Sequence, residues 1–87
     1  MSALTPEAVE STIKQILVTE AYVEVAEDSI AAAQELARDL GVDSLGFTQL
    51  RIYCERRFDV KIPEGDFNSV RFRTVGTVRD LILELTA

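Results

Sequence analysis

The sequence predicts an all-α fold, a small bundle of three or four helices. Three observations carry this expectation. Apolar residues recur at intervals of three and four in separate runs, and each run opens on a Ser, Thr or Asp suited to a helix cap. The one alternating stretch, Tyr22-Val23-Glu24-Val25, has no second strand run to pair with, so it reads as a connector whose apolar side chains tuck beneath the helices.

The first helix opens at Leu4-Thr5-Pro6-Glu7, with Thr5 as cap, Pro6 at the first helical position and Glu7 favoured by the positive helix end. Val9, Ile13, Ile16 and Leu17 form its apolar stripe, and it fades near Thr19 to Ala21. Asp28 and Ser29 are placed to cap a second run, Ile30 to Leu40, rich in the helix formers alanine, glutamine, glutamate and leucine, with Gly41 as its stop. Asp43 and Ser44 then open a helix that runs to about Phe58, closed by Val60, Ile62 and Pro63. A loop or single turn follows from Glu64 to Val70. The last helix starts at Thr74 or Thr77, carries Val78, Leu81, Ile82 and Leu85, and has Asp80 three residues after Thr77, close to a capping box. One domain with a core of about residues 5–86 accommodates all of this.

Composition excludes several kinds of chemistry. The 87 residues include 15 acids, 9 bases, no histidine, no tryptophan and a single cysteine. There is thus no imidazole base or metal ligand, no Ser-His-Asp or Cys-His arrangement, no internal disulfide and no thiolate zinc site. The net charge of −6 is uneven: residues 1–50 hold nine acids and two bases, residues 51–87 six acids and seven bases. An acidic chain is a poor phosphate-backbone binder, so no nucleic-acid partner is expected, and Arg71 and Arg73 around Phe72 make a poor footprint for one. No apolar run reaches the roughly 18 residues of a membrane span, and Met1 to Val9 lacks the features of a signal peptide, so a cytoplasmic protein acting as a monomer is the expectation.

The helix after Ser44 has two distinct faces. At 100° per residue, Leu50, Cys54 and Phe58 fall within about 60° of Phe47 and make a core stripe. Cys54 on that stripe reads as a small buried hydrophobe, and Tyr53 beside it as half-buried packing. Leu45, Thr48, Gln49, Ile52 and Arg56 lie on the other side, between about 100° and 200°, where aligned aliphatic residues suit a partner-docking ridge. Leu45 and Ile52 would be ordinary core if a further helix covered them, and exposure is the favoured reading. Arg56 and Arg57 fit either a partner contact or a solvated helix end. Ser44 itself reads either as a helix cap or as the place where a phosphate ester would be favoured by the positive helix end.

Gly41-Val42-Asp43-Ser44-Leu45 resembles the Asp-Ser-Leu signature of acyl and peptidyl carrier proteins, which bear 4′-phosphopantetheine on that serine. The resemblance extends to Leu36, Leu40, Leu50, Glu55, Phe58 and the segment Val60-Lys61-Ile62-Pro63, and spans roughly residues 9–85. It implies the acyl carrier protein type of bundle, with Ser44 as attachment site, Asp43 at the helix entrance and Leu45 beside the cofactor. It also implies a non-catalytic protein that accepts its arm from a phosphopantetheinyl transferase using coenzyme A, and acyl or aminoacyl cargo from loading enzymes. Fatty-acid carriers usually have a strongly acidic helix after the serine, whereas this one has Gln49, Arg51, Arg56 and Arg57 with Glu55 as its only acid. The acids lie ahead of Ser44 instead, at Glu20, Glu24, Glu27, Asp28, Glu35, Asp39 and Asp43. Pro63 to Asn68, with Phe72 and Thr74, resembles the corresponding turn of D-alanyl carrier proteins. These departures point to a stand-alone carrier of a specialised pathway, polyketide or nonribosomal peptide in type. Two other readings stay open on the residues alone: an acidic helical adaptor in which Ser44 is only a cap, and a minimal enzyme using carboxylates such as Asp39 and Asp43.

Overall fold

The computed structural model describes residues 4–87. Three α-helices form among them: α1 (Pro6–Thr19), α2 (Ser44–Phe58) and α3 (Val75–Thr86). Short 3-10 turns at Glu27–Ser29 and Glu64–Asp66 lie in the two connections.

Each helix begins as its sequence dictates. Thr5 accepts a hydrogen bond from the Ala8 amide at 3.1 Å, with Pro6 inside the first turn. At α3 the cap is Thr74: its hydroxyl accepts from the Thr77 amide at 3.1 Å, while the Thr77 hydroxyl accepts from the Thr74 amide at 3.0 Å. The capping box is therefore Thr74 with Thr77, and the expected Thr77–Asp80 box does not form; Asp80 pairs with Arg79 at 3.0 Å instead. α2 stops at Asp59, which turns left-handed with φ 54.

Val9, Ile13, Ile16 and Leu17 of α1 are buried against Val75, Val78, Leu81 and Ile82 of α3, and Leu50 and Cys54 of α2 close the third side of the core. α1 packs against both other helices. An ion pair links α1 and α3 at their surface, where Glu10 binds Arg79 at 3.0 Å and also Lys14 at 3.1 Å.

The predicted helix Ile30–Leu40 does not form. Asp28 and Ser29 belong to the first 3-10 turn, and Ile30 leaves it extended, with φ −84 and ψ 124. Backbone groups that a helix would pair internally go elsewhere: the Leu36 amide donates to the Arg73 carbonyl at 2.8 Å, and the Ala32 carbonyl accepts from the Gly76 amide at 2.9 Å. Glu35 and Thr74 make an isolated antiparallel bridge. Side chains take further backbone donors, Gln34 from Ala31 and Asp39 from Glu35, both at 2.8 Å. Ile30, Leu36 and Leu40 are all buried in this irregular path. Ile30 lies some 100° around a helix from the other two, so a regular helix would bury them less well together. Tertiary anchoring has outweighed local propensity.

Gly41 then turns the chain with φ 73, and the Val42 amide donates back to the Leu36 carbonyl at 2.9 Å. This fixes the approach to α2. In the earlier connector, Val23 is buried as expected but Tyr22 points out, 74% exposed.

Candidate functional site

The amino terminus of α2 holds the residues singled out from the sequence. Asp43 is the cap: its Oδ1 accepts from the Gly46 amide at 2.8 Å, and its carbonyl accepts from the Phe47 amide at 2.9 Å. Ser44 is the first helical residue, not the cap, which corrects the reading of Ser44 as a mere capping residue. Its side chain is exposed and its hydroxyl forms no hydrogen bond among the described residues; its carbonyl accepts from the Thr48 hydroxyl at 3.0 Å. A free hydroxyl at the positive end of a 15-residue helix is a nucleophile in a setting that favours a phosphate ester. The donor chemistry fits 4′-phosphopantetheine at this place.

Gly46 lets the helix end sit close to its neighbours. A Cβ there would stand 2.9 Å from Val42 Cγ1 and 3.5 Å from the Ala21 Cβ. The first turn of α2 is thus wedged against Val42 and the segment that follows α1.

Leu45 is 62% exposed beside Ser44. Thr48 and Arg56 are exposed, whereas Gln49 and Ile52 are half-buried, so the ridge is open at its ends and partly covered in its middle. Arg56 lies over the Tyr53 ring, 5.4 Å from its centre. The inner face follows the expected stripe, with Leu50 and Cys54 buried and Phe47 and Phe58 packed against the core. Burial pushes the Cys54 thiol up to about 12, aided by the nearby Glu55 charge and opposed by Arg57.

Much of the charge on α2 is engaged internally. Arg51 donates to the Ile62 carbonyl at 3.0 Å, pairs with Glu64 at 3.1 Å and lies over the Phe67 ring at 4.8 Å. Glu55 accepts from the Ile62 amide at 2.7 Å. Arg71 and Arg73 pair with Glu84 and Glu35 across the surface, with Phe72 buried between them. Asp39, engaged by the Glu35 amide, and Asp43, engaged by the Gly46 amide, are caps and turn formers.

Sequence reasoning missed an open groove of about 580 Å³ next to the first turns of α2, walled by Ala37, Phe47, Phe67, Val70 and Phe72, with Glu35 and Arg73 on its polar side. Phe67 and Phe72 meet edge to face at 5.0 Å. The only sequence signal for it was a pair of aromatic residues within a polar loop.

The phosphopantetheine attachment site family model matches residues 11–83. The chain is 39% identical over 66 residues to an acyl carrier protein of Amoebophilus asiaticus, covering 76% of this chain and 78% of that one. It is 34% identical over 59 residues to an acyl carrier protein of Campylobacter lari, covering 68% and 74%. Among solved structures it superposes, with a TM-score of 0.76 and 26% identity, on a chain from the complex of an engineered Bradyrhizobium japonicum glycine:[carrier protein] ligase with a carrier protein from Agrobacterium tumefaciens and AMP; 84% of this chain and 96% of that chain are covered. The fold, the free serine at a helix start and these matches agree: the chain belongs to the acyl and peptidyl carrier protein family, non-catalytic proteins that carry covalent 4′-phosphopantetheine.

Proposed function

We propose that Ser44 is the residue that bears the 4′-phosphopantetheine, and that the chain carries cargo for a specialised pathway of polyketide or nonribosomal peptide type. The observation that carries the first part is the division of labour at the start of α2. Asp43 does the capping, which leaves the Ser44 hydroxyl exposed and unengaged at the positive helix end.

In loading, the Ser44 oxygen attacks the coenzyme A phosphorus nearest the pantetheine. The P–O bond of the pyrophosphate breaks, adenosine 3′,5′-bisphosphate leaves, and the hydroxyl proton passes to a base of the transferase. The resulting phosphodiester keeps one negative charge, which the helix end stabilises by roughly 0.3–1 kcal/mol. Once bound, the arm supplies a terminal thiol that holds acyl or aminoacyl groups as thioesters. Leu45 packs beside it, and the groove lined by Phe47, Phe67, Val70 and Phe72 offers an apolar wall next to the same helix. Leu45, Thr48, Gln49, Ile52 and Arg56 form the docking ridge for the transferase and for loading enzymes.

The pathway reading is supported by charge. The only acid of α2, Glu55, is turned to the Ile62 amide, and its exposed charges are Arg56 and Arg57. A basic enzyme surface of the kind that docks on strongly acidic helices meets no matching partner there. The likeness to a chain from a glycine:[carrier protein] ligase complex supports aminoacyl cargo within that class.

The test is loading of the purified chain with coenzyme A and a broad-specificity phosphopantetheinyl transferase, read by intact mass. The expected result is a gain of one phosphopantetheine that is abolished in Ser44→Ala. No gain in the unaltered chain, or a gain that survives in Ser44→Ala, overturns the assignment.

A further inference from the structure

The exit from α1 carries a side chain that neither the core nor the backbone uses. The chain leaves the helix through Tyr22, whose φ of 60 lies in the left-handed region. This turn lets the Val23 amide donate to the Leu17 carbonyl at 3.0 Å. Glycine or asparagine is the usual occupant of such a position, because a Cβ crowds the backbone there, and a bulky aromatic is a costly choice. Burial does not offset the strain, since Tyr22 is 74% exposed, more than any other large apolar side chain among the described residues. Its hydroxyl forms no hydrogen bond among them. Strain retained without an internal return points to a contact outside the chain.

The surroundings say what kind of contact. Ala21, the preceding residue, lies against the first turn of α2, where its Cβ would be 3.5 Å from a Cβ at Gly46. Tyr22 therefore stands at the Ser44 end of the molecule, as does the exposed Leu45. Glu20 and Glu24 flank Tyr22 two residues away on either side, and no Lys or Arg lies between Lys14 and Arg38; Glu27 and Asp28 lie instead beside Glu10 and Lys14 near the start of α1, and Glu35 pairs with Arg73. An aromatic ring in an acidic setting complements an apolar notch bordered by cationic side chains.

We infer that Tyr22 is a docking residue for the enzyme that modifies Ser44, entering an apolar notch bordered by Lys or Arg on that enzyme. This rests on Ser44 being the modified serine. It adds to the α2 ridge a contact contributed by the α1 exit.

The experiment compares the unaltered chain with Tyr22→Gly and Tyr22→Asn as substrates for transfer from coenzyme A by a purified broad-specificity transferase, with KM, kcat and Tm measured for each. Both replacements suit a left-handed backbone, so Tm is expected to hold or rise. KM is expected to increase about fivefold or more with kcat little changed, as for loss of an aromatic docking anchor. Tyr22→Phe, which keeps the ring, is expected to behave as the unaltered chain. An unchanged KM in both the Gly and Asn variants, with the unaltered chain loaded normally, overturns the inference. So does a lowered Tm in both variants, because the ring would then serve the fold. If the unaltered chain is not loaded at all, the assignment of Ser44 fails first, a distinct outcome.

Discussion

Cys54 is the one thiol of a chain whose cargo is held on a thiol, and its setting keeps the two apart. It is fully buried on the inner face of α2, and burial raises it to about 12. At pH 8 burial keeps it in the thiol form, out of reach of a thioester or an alkylating reagent. Iodoacetamide at pH 8 should therefore leave the folded chain unlabelled, while the same reagent in guanidinium adds one group per chain, both read by intact mass. Rapid labelling of the folded chain would contradict the burial described. The buried position was legible from the stripe of Phe47, Leu50, Cys54 and Phe58. The roles of Asp43 and Ser44 were less so, because aspartate and serine cap equally well and a one-residue shift in the helix start exchanges them.

At the scale of elements, that shift has a measurable consequence. Asp43→Ala removes the acceptor of the Gly46 amide and should lower the unfolding free energy by about 1 kcal/mol. Ser44→Ala removes a hydroxyl that has no hydrogen-bond partner among the described residues and should change it by less than about 0.5 kcal/mol. Urea titrations of both variants check this, and equal losses would mean that the cap is shared. All three helices could be read from apolar spacing and caps, since those signals are local, while the start of α3 was left open between Thr74 and Thr77. The Ile30–Leu40 prediction failed because what decides that segment is remote: the Arg73 carbonyl and the Gly76 amide lie more than 35 residues further along the chain. The groove beside Phe47 was hidden for the same reason, as its walls come from separate loops that only the tertiary fold brings together.

At the scale of the whole molecule, the three helices are held mainly by apolar contact, with one charged tie between the first and the last among the described residues. Hydrogen bonding to Lys14, and then Arg79, holds the Glu10 carboxyl below its ordinary value, with burial opposing them. A depressed carboxyl stabilises the fold above its unfolded value near 4.5 and loses that contribution as the pH falls through its folded value. The site is partly exposed, so the contribution is about 0.5 kcal/mol. Glu10→Gln should accordingly be less stable than the unaltered chain by about this amount at pH 7, with the gap narrowing at a pH well below 4.5. Urea unfolding at the two pH values tests it; a gap that persists unchanged in acid would show that the side chain acts by packing and not by charge.

The irregular segment between Ile30 and Leu40 is fastened to the start of α3 chiefly through main-chain groups. Peptide amides and carbonyls are common to all residues except proline, which lacks the amide, so these fastenings do not depend on which side chains the segment bears. Ala31, Ala33, Ala37 and Arg38 are exposed along it. Those positions can be rewritten with the frame behind Ser44 left in place, which makes this segment the part of the chain most free to acquire a new outer surface while the serine stays where it is.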